Sequence, residues 1–266
     1  MITGDGCDLT GRTAVVTGSS SGIGRAIAIQ LAAAGADVLI HARASGAAAA
    51  AVADEVRAAG RQATVLLADL ADAATHQGLI DAAWAWRGGV QLWVNNAGAD
   101  VLTGDAAGWS FEEKLERLWR VDVLATMRLS RLVGARMKQA RSGSGQAVIL
   151  NMGWDQAEHG MAGDSGEMFG AVKGAVAAFT RSLACSLAPE VRVNCLAPGW
   201  IKTAWGETAP AYWQERACRE ALLQRWGTPQ DVACVAHFLA SPAAEFLTGQ
   251  VVPVNGGFRR SGTGEP

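Results

Sequence analysis

No Cys-x-x-Cys pair, no histidine cluster, no basic excess and no long apolar run occur in this chain of 266 residues. Each absence removes a class of function. The five cysteines (Cys7, Cys185, Cys195, Cys218 and Cys234) are odd in number and scattered, so neither a zinc site nor a disulfide framework is indicated, and small core residues are expected instead. The four histidines (His41, His76, His159 and His237) are as dispersed, and no metal is expected. A net charge of -2 offers no positive field for nucleic acid or anionic lipid, which leaves a small molecule as the expected partner. No apolar stretch approaches membrane-spanning length, and Asp5 and Asp8 stand where a signal peptide needs basic and then apolar residues. A cytoplasmic location away from membranes is the expectation.

What is present is a chain that is 50% hydrophobic, long enough to bury a large core, and read here as a single domain over residues 1–266. Its organising stretch runs from Ala14 to Ile27. A short β-branched run reads as a buried strand, the glycine-rich Gly18-Ser-Ser-Ser-Gly22-Ile-Gly24 turn follows, and Ile23, Ile27 and Leu31 at four-residue spacing begin a helix inside the turn. Glycines admit backbone N–H groups close to a pyrophosphate, and a helix N-terminus adds unpaired donors and the positive end of its dipole.

Strands and helices then alternate. Strands are expected at Asp37 to Arg43, Gln62 to Leu67, Leu92 to Val94, Ala147 to Met152, Val191 to Cys195 and Gln250 to Val254. Helices are expected after Arg43, between Leu70 and Trp84, from Trp109 to Gln139, from Met168 to Leu187 and after Pro229. Ser142-Gly143-Ser144-Gly145 reads as a flexible turn. This rhythm predicts an α/β fold: a parallel sheet between two helical layers, with right-handed crossovers.

The sequence resembles the short-chain dehydrogenase/reductase family over nearly its whole length. The resemblance rests on Thr17 to Gly24, Asp69-Leu70, Asn95-Asn-Ala-Gly98, Lys173, Val193-Asn194, Pro198-Gly199 through Thr203, Arg225 to Ala233 and Val254-Asn-Gly-Gly257, in the family's order. It implies a Rossmann-type, doubly wound α/β fold and a nicotinamide dinucleotide held by Gly18, Ser20, Ser21, Gly22, Ile23, Gly24, Arg43, Asp69, Leu70, Asn95, Ala97, Gly98, Lys173, Pro198, Gly199, Ile201 and Thr203. It also implies a homotetramer or homodimer built on the central helices and the last strand, and a substrate-covering segment at about 200–222. At the end of the second strand, Ala42 stands where an NAD-preferring member carries an acid, and Arg43 follows. A guanidinium pairs with a 2′-phosphate that an acid would repel, so NADP(H) is expected over NAD(H). Arg25 and His41 are further candidates for that site.

The resemblance breaks at the proton-handling positions. Phe169 stands four residues before Lys173, where the family has a tyrosine; Trp154 with Asp155 beside it falls where a serine is usual; and Asp122 occupies the position of an asparagine. The expected catalytic set is Asp155, Lys173, Trp154, Phe169 and Asp122. Trp154, His159, Trp200 and Trp205 are expected to touch substrate. Hydride transfer needs only a bound nicotinamide and an electrophilic carbon, and an iminium or protonated pterin already carries its proton. Pteridine reductases resemble the chain in placing an aspartate near the serine position. The expected function is therefore an NADP(H)-dependent reductase of a C=N, pterin-like or carbonyl group with a non-standard site. The alternative is a silent or non-redox protein on the same scaffold.

Overall fold

The computed structural model describes residues 4–140 and 147–258. Seven strands form one parallel sheet in the order β3-β2-β1-β4-β5-β6-β7. Along the chain these are β1 (Thr13–Val16), α1 (Gly22–Ala33), β2 (Asp37–Ala42), α2 (Gly46–Ala58), β3 (Ala63–Leu67), α3 (Ala74–Arg87), β4 (Leu92–Asn95), α4 (Phe111–Leu118), α5 (Thr126–Ala140), β5 (Ala147–Met152), α6 (Gln156–His159), α7 (Asp164–Leu187), β6 (Val191–Pro198), α8 (Ala204–Thr208), α9 (Ala211–Glu220), α10 (Pro229–Ala240) and β7 (Val251–Val254).

The central strands read as unbroken apolar runs because both faces are covered. Side chains alternate between the faces: Ala14, Val16, Val148 and Leu150 join one core with α1, α2 and α10, while Val15 and Ile149 join the other with α3, α5 and α7. The chain runs outward from β1 to β3 and then restarts at β4 on the other side. The crevice beyond the carboxyl ends of β1 and β4 is the point where such sheets bind ligands.

Four details depart from the expectations. The helix expected from Trp109 to Gln139 is broken into α4, a π-helical turn at Trp119–Ala125, and α5, with Ser110 and Glu113 forming a capping box that starts α4 only after Trp109. Helix α7 begins four residues before Met168, and β6 continues three residues past Cys195 to pair with β7. The tryptophan-rich segment contains α8 and α9, which were not expected. The turn at Ser142 to Gly145 lies outside the described residues. Among those described, no helix is long and apolar enough to cross a membrane, and no three metal-ligating side chains converge.

Candidate functional site

The β1–α1 turn is locked from β1, β2 and β4. Thr17 Oγ1 donates to the Val94 carbonyl at 3.3 Å and accepts from the Asn96 and Ala97 amides at 3.0 Å each. Asn96 Nδ2 donates to the carbonyls of Thr17 and Gly18 at 3.0 and 3.1 Å. Ser19, fully buried, donates to the Val16 carbonyl and accepts from the His41 amide. Two glycines are required by contact. A Cβ on Gly24 would lie 2.2 Å from the Gly18 carbonyl oxygen and 2.4 Å from Asn96 Nδ2, and one on Gly18, whose φ is +63°, would lie 2.8 Å from Ala97 Cα.

Above this turn lies a groove of about 740 Å³, lined on its walls by Gly18, Ser20, Ser21, Arg43, Asp69, Leu70, Ala97 and Gly98. Gly22 and Ile23 open α1 below it, and a Cβ on Gly22 would touch the Thr203 methyl at 3.8 Å, so Thr203 faces the start of the helix. Pro198 ends β6 against Val254, Gly199 is wedged against Asn255 and Asp155, and Ile201 bridges to Gly227, which fixes the arm that carries Thr203. Arg43 is exposed and forms no ion pair among the described residues.

Three expectations for this region are corrected. Asn95 does not line the groove: it is buried, accepts from Trp93 Nε1, and donates to Ser130 and Asn151 within the sheet's interior. Its neighbour Asn96 is the pocket residue, because alternate strand positions face opposite sides. His41 adds no charge. Its Nδ1 accepts from the Gly18 amide at 3.1 Å, so Nε2 carries the proton and donates to the Ala68 carbonyl at 3.1 Å, and burial pushes its pKa down to about 4. Arg25 is turned to Glu55, at 2.6 Å. The clamping roles of Thr17, Ser19 and Asn96 are visible only once β2 and β4 are placed beside the turn.

The catalytic candidates fall into two groups. Lys173 Nζ lies 2.7 Å from Asp122 Oδ1 and 3.3 Å from the Met152 carbonyl oxygen. Asp122, presented by the π-helical turn, accepts from the Ala99 amide at 2.9 Å through Oδ2, and its carboxylate abuts Gly98 on the groove wall. An ammonium has three N–H donors, so one remains for a ligand. Phe169, one helical turn before Lys173, meets the edge of Trp154 at 6.2 Å between centroids. The chain's single tyrosine is Tyr212, in α9 against Trp213.

Asp155 belongs to the second group. It is buried where β5 enters α6; Oδ2 accepts from Asn255 Nδ2 at 3.0 Å, while Oδ1 finds no partner of hydrogen-bond geometry. Burial pushes its carboxyl up to about 6, against the opposing pull of the Asn255 bond. With Trp154 and His159 it lines a cavity of about 540 Å³ that shares no described residue with the groove. His159 stacks on Phe258 at 5.0 Å, a contact the sequence did not suggest.

Trp200 and Trp205 are turned toward each other rather than outward. They stack at 6.5 Å and pack with Trp213 and Trp226 into one cluster. The cation on these faces is the chain's own Arg216, at 5.7 Å from the Trp200 ring and 5.2 Å from Trp213, and paired with Glu220 at 2.7 Å. Glu220 also accepts from Trp200 Nε1 at 2.8 Å.

A family model described as "Enoyl-(Acyl carrier protein) reductase" matches residues 18–259. Cyclohexanol dehydrogenase of Rhodococcus sp. is 34% identical over 275 residues, covering 97% of this chain and 99% of its own. Among solved structures, a 7α-hydroxysteroid dehydrogenase complexed with NADH and 7-oxo glycochenodeoxycholic acid superposes with a TM-score of 0.87 at 31% identity, covering 98% of this chain and 99% of that one. A short-chain dehydrogenase of Burkholderia cenocepacia in complex with NADP has a TM-score of 0.82 at 31% identity over 94% of this chain and 98% of its own. With the parallel sheet, the glycine turn and the groove at its switch point, these matches make the chain a member of the short-chain dehydrogenase/reductase family of oxidoreductases.

Proposed function

We propose that the protein is an NADP(H)-dependent reductase of a small substrate bearing a C=N or iminium bond, a pterin-like ring or a carbonyl, with a non-standard proton supply. The observation that carries the cofactor half is Arg43: a guanidinium without a carboxylate partner among the described residues, on the wall of a groove whose floor admits only glycine at positions 18 and 24. A 2′-phosphate is the ligand group that such a cation pairs with bidentately. Bound there, NADPH supplies the hydride. Relatives of this chain that were solved with NADP support the same choice.

The proton half rests on Lys173 and Asp122. Beside Gly98 they form a buried ion pair that abuts the groove, and Phe169 stands one helical turn before Lys173 with no hydroxyl to offer. Lys173 would present its remaining N–H to the ribose or to the substrate, and Asp122 would hold the ammonium in place. Asp155 is the second proton-bearing candidate, and it lines the separate cavity of about 540 Å³. A substrate that arrives protonated needs neither group as an acid, which favours C=N and pterin-like compounds over simple ketones. Homotetrameric or homodimeric assembly belongs to the same reading. Exposed Trp119 and Leu132 on the central helical region and exposed Phe238 on α10 support it, and sedimentation would test it.

Titration with NADPH, followed by tryptophan fluorescence, tests binding. Loss of the reduced-nicotinamide absorbance across a panel of imines, pterins and ketones tests turnover. Turnover of at least one class is expected; silence in all of them despite tight binding would favour a dinucleotide-binding module instead.

A further inference from the structure

The groove holds a second guanidinium that the motifs do not single out. Arg117, in the last turn of α4, lines the same cavity as Arg43, Asp69, Leu70 and Val121, but is carried by the β4–β5 connection rather than by the end of β2. Its Nη2 lies 3.7 Å from Asp69 Oδ1, beyond hydrogen-bond length, and that oxygen already accepts from the Ala71 amide at 2.9 Å. A long, partly exposed pair of this kind contributes little, so the guanidinium is free to leave it. Leu70 and Val121 are buried apolar walls of the groove, and Trp109 lines it beside Arg117. A slot with apolar sides and a planar cation at its edge suits a flat, neutral aromatic ring. It does not suit a second phosphate, because Asp69 stands within 4 Å of the same guanidinium and would repel one.

Resting on the dinucleotide reading above, we propose that Arg117 is an adenine-binding residue, whose guanidinium leaves Asp69 and lies over the purine face opposite Leu70 and Val121. The contact is indifferent to the 2′-phosphate, so it adds affinity for the dinucleotide without choosing between its two forms. Arg43 makes that choice.

The test compares dissociation constants of NADPH, NADH and 5′-AMP for the wild type and for Arg117→Ala, Arg117→Lys and Arg43→Ala. Arg117→Ala should weaken all three ligands by a similar factor, about 5- to 20-fold, from the loss of one desolvated cation–π contact. Arg117→Lys should not restore them, since the planar stack is lost while the charge facing Asp69 is kept. Arg43→Ala should weaken NADPH alone. The proposal is overturned if Arg117→Ala affects only NADPH, which would make Arg117 a phosphate ligand, if lysine restores full binding, or if Arg117→Ala changes nothing while Arg43→Ala does. A wild type that binds none of the three ligands would overturn the dinucleotide reading and the proposal together. Should the alanine variant fold poorly, Arg117→Gln, which keeps a planar head without the charge, takes its place with the same expected loss.

Discussion

Asp155 gives the sharpest test, because its environment sets stability and chemistry against each other. A carboxyl whose pKa is about 6 in the folded chain and 3.8 when unfolded binds more protons in the native state between those values. Stability therefore falls as pH rises through that window, and above it the fold carries the full cost of a buried charge, about 3 kcal/mol. Asp155→Asn removes the charge. Its Oδ1 can still accept from Asn255, but its amide places an N–H where the unpartnered oxygen now sits, at a cost of about 1–2 kcal/mol. The variant should thus be about 1–2 kcal/mol more stable than wild type near pH 8, and no more stable, or less so, near pH 4.5. Urea unfolding at the two pH values, read by tryptophan fluorescence, measures the crossover. A stability difference that stays the same at both pH values would refute the reasoning, since it would mean that Asp155 does not titrate between them. Should Asp155 also supply the proton, turnover in the stabilised variant would drop by about 10²- to 10⁴-fold. A carboxylate that costs stability yet is needed for rate is the signature of a residue kept for chemistry.

The remaining predictions follow from single contacts. Arg43→Ala should weaken NADPH by about 10- to 100-fold, the loss of one or two charge-assisted bonds, and leave NADH within about twofold, as measured by fluorescence titration. Asp122→Asn leaves the Lys173 ammonium buried without its counter-charge and should destabilise the fold by about 3 kcal/mol in urea. Gly24→Ala forces a methyl into the Gly18 carbonyl and Asn96, and should cost about 1–3 kcal/mol together with most dinucleotide binding. Phe169→Tyr should raise ketone reduction by less than about tenfold, because the Asp122 carboxylate 2.7 Å from Lys173 offsets much of the ammonium's pull on a new phenol. A gain of several orders of magnitude would instead identify a ketoreductase that had only lost its acid.

The parts of the molecule that could be read from the sequence are those where a single position obeys a local rule. The β1–α1 turn declared itself because Gly18 and Gly24 have no substitute there, and the two-sided burial of β4, β5 and β6 shows directly as apolar runs. Arg43 was legible for the same reason, through its place just after the end of β2. What escaped depends on pairings that sequence spacing does not encode. Asn95 and Asn96 are adjacent in the chain, yet one is tied into the interior with Ser130 and Asn151 and the other caps the glycine turn, a difference set by the register of β4 against β1 and β5. The break in the long helix at Trp119 carries no glycine or proline signal, although it is what points Asp122 at Lys173. Trp200 and Trp205 are expected from the sequence to touch substrate, but Arg216 lies one helical turn from Trp213 and within reach of Trp200 once α8 and α9 fold back, so the chain supplies a cation to these rings itself. The proton-handling positions divide along the same line. Residue identities at 122, 154, 155 and 169 were plain, whereas the partition into a Lys173–Asp122 pair at the groove and an Asp155–Asn255 pair in the next cavity is a tertiary fact. Any account of catalysis here must begin from that partition, because a proton held at one pair cannot serve an atom bound in the other cavity without a path between them.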